Sequence, residues 1–139
     1  MIKCAIHDTN GQEKFNSITD SFFRKADGCI FVYDISNKKS FEEIKNIYIP
    51  KIKEKCKKDV KTILLGNKSD LDYLREVSID EGIKLALENN FYFKETSCIE
   101  NKNVADAFQT IIEISNFDKT PTKSLILENN NKRNKKCGC

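Results

Sequence analysis

The sequence of 139 residues contains one histidine, His7, and no Cys-x-x-Cys pair, so a zinc site of the usual ligand spacing is not expected. No apolar run approaches the roughly 18 residues of a membrane helix, and a bilayer-spanning chain is not expected. The start, Met1-Ile2-Lys3-Cys4, lacks the charged-then-apolar layout of a secretory signal, which makes the expected compartment cytosolic. There are five glycines (Gly11, Gly28, Gly66, Gly82 and Gly138), and none belongs to a Gly-x-x-x-x-Gly-Lys-[Ser/Thr] string. A phosphate cradle of that kind is therefore absent from these residues. No internal repeat is found.

What is present suits one packed domain. Hydrophobic residues are 39% and charged residues 32%, a composition that can bury a core. The net charge of +3 is unevenly spread. Residues 1–118 carry 18 Lys/Arg against 20 Asp/Glu, a net −2, and residues 119–139 carry 6 against 1, a net +5. A basic tail fits an anionic partner, either membrane or nucleic acid, or a merely solvated segment, and charge alone leaves these open. Of the six cysteines, Cys4 and Cys29 sit in apolar strand-like runs, Cys56 in a lysine-rich stretch and Cys98 after Glu95-Thr96-Ser97. Reduced thiols are expected for these four rather than a disulfide framework.

Four short apolar runs read as strands: Ile2–His7, Gly28–Asp34, Lys61–Asn67 and Phe91–Glu95. Runs this short and this apolar suit strands buried on both faces, hence parallel ones. Between them lie helical patterns. Phe41, Ile44, Tyr48 and Ile52 recur at spacings of three and four, with Pro50 predicting a kink or an early break. Ser78 and Glu81 make a capping box ahead of Ile79, Ile83, Ala86 and Leu87. Val104, Ala107, Phe108, Ile111 and Ile112 form a third amphipathic stripe, and Ser21–Ala26 suits a short helix. The alternation predicts a parallel α/β sheet with right-handed crossovers, whose ligands bind beyond the carboxyl ends of the strands. After Asn116 the periodicity stops, and Thr120-Pro121-Thr122 opens a polar, asparagine-rich, flexible stretch.

Chemistry is therefore sought just after each run. After the first comes Asp8-Thr9-Asn10-Gly11-Gln12-Glu13. An Asp at a strand end can hold Mg²⁺ through water, a glycine lets a backbone N–H approach a terminal phosphate, and a glutamine can orient an attacking water. Alone, such a string is more often only a turn. After the third comes Asn67-Lys68-Ser69-Asp70. One carboxylate can accept two parallel hydrogen bonds from guanine N1–H and the 2-amino group, which adenine does not offer in that arrangement. A site built this way rejects the wrong base, because the carboxylate would be left unpaired. Asn67 can bond another edge of the base and tie loops together, and the Lys68 stem can lie along its face. After the fourth run, backbone N–H groups of Ser97 and Cys98 can meet a base carbonyl.

In order and spacing these strings resemble the Rab branch of the Ras-like small GTPases. The resemblance runs from Cys4 to about Phe117 and includes Asp8–Phe15, Ser17-Ile18, Tyr33-Asp34, Ser40-Phe41, Gly66–Leu71 and Glu95-Thr96-Ser97. It implies an α/β fold of the P-loop NTPase, small-GTPase type, a parallel sheet with flanking helices, here lacking the N-terminal strand, phosphate loop, helix and strand. It implies a partial GTPase domain over 1–117 and a flexible basic hypervariable tail over 118–139. Asp8, Thr9, Asn10, Gly11 and Gln12 match the phosphate side, with Gln12 the water-positioning catalytic residue and Asp8 a weak, water-mediated Mg²⁺ ligand. Residues Gly11–Ala26 match the second switch. Asn67, Lys68, Asp70, Ser97 and Cys98 match the guanine side. The implied cofactors are GTP or GDP with Mg²⁺. The implied partners are Rab effectors, an exchange factor and escort or GDI-type proteins, in vesicle traffic.

The ending Cys137-Gly138-Cys139 matches a two-cysteine Rab terminus, a site for two geranylgeranyl groups. Two lipid chains anchor stably where one does not, and Lys132, Arg133, Lys135 and Lys136 add attraction to an anionic cytoplasmic leaflet. The expected location is the cytoplasmic face of a membrane. Nucleic acid is not an expected partner, since no aromatic residue is interleaved in the tail to stack a base. The missing phosphate loop sets the expected activity. Losing about five hydrogen bonds to charged groups, each roughly 1.5–3 kcal/mol, removes roughly 7–15 kcal/mol of binding. The chain by itself is thus expected to hold GTP weakly and not to hydrolyse it. The alternative is a non-enzymatic, lipid-anchored remnant or interaction module, or a pseudogene product.

Overall fold

The computed structural model describes residues 4–8 and 23–116. Thr9, Asn10, Gly11, Gln12, Cys137 and Cys139 lie outside the described residues, as does the 118–139 tail. Among the described residues the order is β1 (Gly28–Asp34), α1 (Lys38–Glu43), a π segment (Ile44–Tyr48), α2 (Ile49–Lys55), β2 (Lys61–Asn67), a 3₁₀ segment (Ser69–Leu74), α3 (Ile79–Asn89), β3 (Tyr92–Glu95) and α4 (Val104–Asn116). The strands form one sheet in the order β1-β2-β3, and both pairings are parallel. This is the expected parallel α/β sheet with helices on its two faces.

The strand period of two divides the core. Leu64 of β2 joins Phe31 and Tyr33 of β1 on the face covered by α1, the π segment, α2 and α3, with Phe41, Ile44, Ile49, Ile52, Leu85 and Ala86. Its neighbours Ile63 and Leu65 point the other way, against Ala107 and Ile111 of α4. Ile63 and Leu64 are fully buried. Burying one such side chain contributes about 1.5–3 kcal/mol relative to leaving it exposed.

Local signals explain the helix ends. The Asn37 side chain caps α1 by accepting from the Ser40 N–H at 3.3 Å. The Ser78 hydroxyl accepts from the Glu81 N–H at 3.2 Å, while Glu81 Oε2 accepts from the Ser78 N–H at 2.9 Å, closing the capping box that opens α3. Asn90 ends α3 in the left-handed region at φ 58°. Pro50 does not break the helix. It is the second residue of α2, where a missing N–H costs least, and the preceding π turn, with Ile49 N–H bonded to the Ile44 carbonyl, absorbs the mismatch.

Two strand expectations need correction. Residues 4–8 lie in no strand and all are exposed, Ile6 at 69%. A strand is held by its ladder, and among the described residues the edge of β1 away from β2 carries no neighbour for it to join. Burial on both faces holds for β2 but not for β3, which has no buried residue, nor for β1, where Val32 remains 54% exposed because α4 covers only the start of that strand. Residues 23–25 form a single helical turn within the stretch expected to be helical, and Ser21 and Phe22 lie outside the described residues. Cys4, Cys29, Cys56 and Cys98 are free thiols.

Candidate functional site

The carboxyl ends of the three parallel strands bring together the loops that follow Asp34, Asn67 and Glu95. Backbone bonds lock them. Ile35 N–H donates to the Asn67 carbonyl at 3.0 Å, Thr96 N–H to the Gly66 carbonyl at 2.9 Å, and Ser69 N–H to the Thr96 carbonyl at 3.0 Å. Lys68 takes the left-handed conformation at φ 64° to turn the chain into the 3₁₀ segment. Such a backbone is uncommon for a lysine and persists because its neighbours are fixed on both sides.

Five side chains then converge. Ser97, fully buried, donates from Oγ to Asp70 Oδ1 at 2.5 Å and accepts from the Glu100 N–H at 3.1 Å. Thr96 Oγ1 donates to Asn67 Oδ1 at 3.1 Å, and the Cys98 thiol reaches the same oxygen at 3.7 Å. Asp70 is half-buried, with one oxygen held by Ser97 and further lone pairs left on its carboxylate. A carboxylate steadied on one side and open on the other can take paired donors from a planar ligand.

Lys68 is held from a direction the sequence reading overlooked. Its Nζ lies 2.6 Å from Asp34 Oδ2, and Asp34 Oδ1 accepts from the Ser36 N–H at 2.8 Å and the Ser36 hydroxyl at 2.6 Å. Partial burial pushes the Asp34 carboxyl up. The Lys68 ammonium and the two Ser36 bonds outweigh it and hold the group below the ordinary range. The hydrogen bond that Lys68 donates to Asp34, and the charge of that carboxylate, push the Lys68 ammonium up. The signal was available, because Asp34 ends β1 just as Asn67 ends β2, and ligand-side residues gather at strand ends.

Behind the site a second ion pair braces the loops. Arg75 donates to both oxygens of Glu95, at 2.6 and 3.1 Å, and to the Val77 carbonyl at 3.1 Å. Each of the two side chains is 17% exposed, and the Glu95 bonds hold the guanidinium protonated across the accessible range. Arg75 also pairs with Asp72 at 2.7 Å.

Two expected site features differ. The Ser97 N–H is already bonded to the Lys102 carbonyl at 3.1 Å, so of the two N–H groups expected to meet a base carbonyl only that of Cys98 remains a candidate. Asp8 stands exposed and outside any element, and among the described residues no hydrogen bond or ion pair joins it to the Asn67–Asp70–Ser97 cluster. No three His, Cys, Asp or Glu side chains converge to hold a metal among the described residues, and Asp8 by itself, exposed and apart from the cluster, does not make a Mg²⁺ site. Within the same residues no helix is long and apolar enough to cross a membrane.

A sequence model of the Ras family matches residues 1–116. The chain is 47% identical over 110 residues to Ras-related protein Rab-8A of Bos taurus, covering 79% of this chain and 53% of that protein. It is 46% identical over 110 residues to Ras-related protein Rab-8B of Homo sapiens, with the same coverages. To Ras-related protein Rab-8 of Diplobatis ommata it is 46% identical over 110 residues, covering 79% of this chain and 52% of that one. The chain thus spans about half the length of the relatives it matches.

Proposed function

The chain belongs to the Ras family, in its Rab branch, and from that premise we propose that it carries the guanine-recognising half of a Rab-type GTP/GDP switch of vesicle traffic. The observation that supports this is the Ser97–Asp70 hydrogen bond, which joins two strand-end loops and steadies one carboxylate for a base edge. In this reading Asp70 accepts from guanine N1–H and the 2-amino group. The Cys98 N–H donates to the base carbonyl, Asn67 ties the loops and borders the base, and the Lys68 stem, fixed by Asp34, lies along its face. The phosphate side belongs to Asp8, Thr9, Asn10 and Gly11, with Gln12 positioning water.

In the family Mg²⁺ supplies charge neutralisation at the phosphates when bound. The described residues do not by themselves form its site. Cys137 and Cys139 carry geranylgeranyl groups in this reading, the tail lies at the cytoplasmic face of a membrane, and effectors, exchange factors and GDI-type proteins are the partners.

The 139 residues as they stand hold nucleotide mainly by its base. Roughly five missing phosphate contacts amount to about five to eleven decades of affinity. Calorimetric titration of the full chain with GDP and Mg²⁺ is expected to give binding far weaker than micromolar and no hydrolysis of GTP. Submicromolar binding would overturn the base-only reading. The second reading, a non-enzymatic lipid-anchored interaction module, is favoured by the same absence of a Gly-x-x-x-x-Gly-Lys-[Ser/Thr] string, and indifference to guanine over adenine would select it.

A further inference from the structure

The end of the sheet opposite the candidate site is basic. Parallel strands start together there, with Gly28 of β1 paired to Lys61 of β2. Lys57 Nζ lies 3.5 Å from Asp27 Oδ1, and Lys51 Nζ stands 5.7 Å over the Phe23 ring, so segments 23–28 and 51–61 share one surface. Arg24, Lys25, Lys53, Lys57 and Lys58 are exposed on it. Segment 51–61 holds six lysines against Glu54 and Asp59, whereas 62–116 holds five basic residues against ten acidic ones. Charge is thus segregated along the fold rather than mixed.

The chain also departs from this end. A Cβ on Gly28 would lie 2.7 Å from Ser115 Oγ, which sets the last turn of α4 beside the first residue of β1. Beyond α4 the sequence runs into the 119–139 stretch, with its 6 basic residues against 1 acidic. The basic surface therefore lies at the pole where the described chain ends, and the basic stretch follows it in sequence.

We infer that this pole is an electrostatic docking face for an anionic bilayer, laid against the membrane to which the tail leads. The inference rests on the tail-anchoring part of the proposed function. A single-stranded nucleic acid is gripped by successive stacked rings. Of the rings at this pole, Phe23 lies half-buried beneath Lys51, Phe91 is half-buried against Phe31 at 5.8 Å between centroids, and Tyr92, 37% exposed at the start of β3, makes no ring contact among the described residues. Asp27, Glu54, Asp59 and Glu88 lie at or near this end and moderate the field without reversing it. A basic residue close to an anionic leaflet contributes about a fivefold factor in partitioning, screened by salt.

The test is co-sedimentation of the unlipidated full chain with phosphatidylserine-containing vesicles and with pure phosphatidylcholine vesicles at low salt. Lys57→Gln/Lys58→Gln is expected to lower partitioning to the anionic vesicles roughly twenty-five-fold. Lys57→Arg/Lys58→Arg retains it, both variants melt like the parent, and phosphatidylcholine vesicles bind none of them. If the pole variant binds unchanged while Lys132→Gln/Arg133→Gln/Lys135→Gln/Lys136→Gln releases the chain, the docking face is wrong and the tail reading stands. If the parent ignores the anionic vesicles, both fail. Tighter binding of oligouridine RNA than of vesicles at the same salt, lost in the pole variant, would assign the face to nucleic acid instead.

Discussion

Gly82 lies on the buried side of α3, where any side chain meets two aromatic rings. A Cβ there would stand 2.5 Å from Phe93 Cε2, 2.7 Å from Phe93 Cζ and 2.6 Å from Tyr33 Oη. Ordinary carbon contacts are about 3.5–4.0 Å, so Gly82→Ala needs a shift of about 1 Å. The Tyr33 ring has little room to give it. Tyr33 is 1% exposed, packs edge-on to Phe41 at 5.0 Å between centroids, and is closed in from the β2 side, where a Cβ on Gly66 would come within 2.9 Å of its hydroxyl. Overpacking of this kind costs about 1–3 kcal/mol. Alanine returns about 1 kcal/mol as a better helix former. With contacts this short the upper part of the range applies, and the net loss is about 1–2 kcal/mol. In a domain of this size that lowers Tm by roughly 4–16 °C. Urea unfolding followed by circular dichroism should show an earlier midpoint at unchanged slope. Leu87→Ala, at a side chain 67% exposed on the same helix, should move it by less than about 0.5 kcal/mol. A Gly82→Ala variant as stable as the parent would refute the close packing of α3 on Tyr33 and Phe93.

The Lys38 ammonium, then the Ser78 backbone N–H, pull the Glu81 carboxyl from 4.5 down to about 2. A depressed folded-state value means that this contribution is whole above about pH 4.5 and fades as the pH falls toward 2, so Glu81→Gln should flatten acid unfolding within that window. An acid limb identical to the parent's in circular dichroism melts would contradict this. Burial, followed by the neighbouring Cys56, pushes the Cys29 thiol up to about 12. Maleimide at about pH 8 should label the exposed Cys4 and Cys98 and spare Cys29, as read by peptide mass spectrometry. Early labelling of Cys29 in the folded chain would be inconsistent with its burial.

Much of the scaffold is written locally. Gly28–Asp34 and Lys61–Asn67 announce themselves as apolar runs with the bounds that the sheet adopts, and Ser78 with Glu81 marks the start of α3 before any packing is known. Residues 4–8 show the limit of that logic. An apolar run states that a segment can be a strand, but a strand exists only beside a partner, which no local pattern supplies. Val32 shows the same limit on a face rather than an edge. Its identity fits burial, and its exposure reflects how little of β1 α4 covers. The π turn before Pro50 is invisible for a different reason, since a single widened turn barely disturbs the three-four spacing of Phe41, Ile44, Tyr48 and Ile52. At the candidate site the residue types of Asn67, Lys68, Asp70, Ser97 and Cys98 were legible. Their engagements were not. The Ser97–Asp70 bond and the grip of Asp34 on Lys68 depend on loops 27 or more residues apart in sequence meeting at one end of the sheet, and the Ser97 N–H is spent on Lys102 by a turn within its own loop.

The central claim is that these strand-end loops recognise guanine through Asp70. The most direct measurement is a backbone amide NMR titration of the full chain with guanosine monophosphate and, separately, adenosine monophosphate, repeated on Asp70→Asn. Shifts confined to residues around Asn67, Asp70, Ser97 and Cys98, seen with the guanine nucleotide, absent with the adenine one and abolished by Asp70→Asn, are the predicted result. Equal response to both nucleotides, or a guanine response that survives Asp70→Asn, would contradict the account.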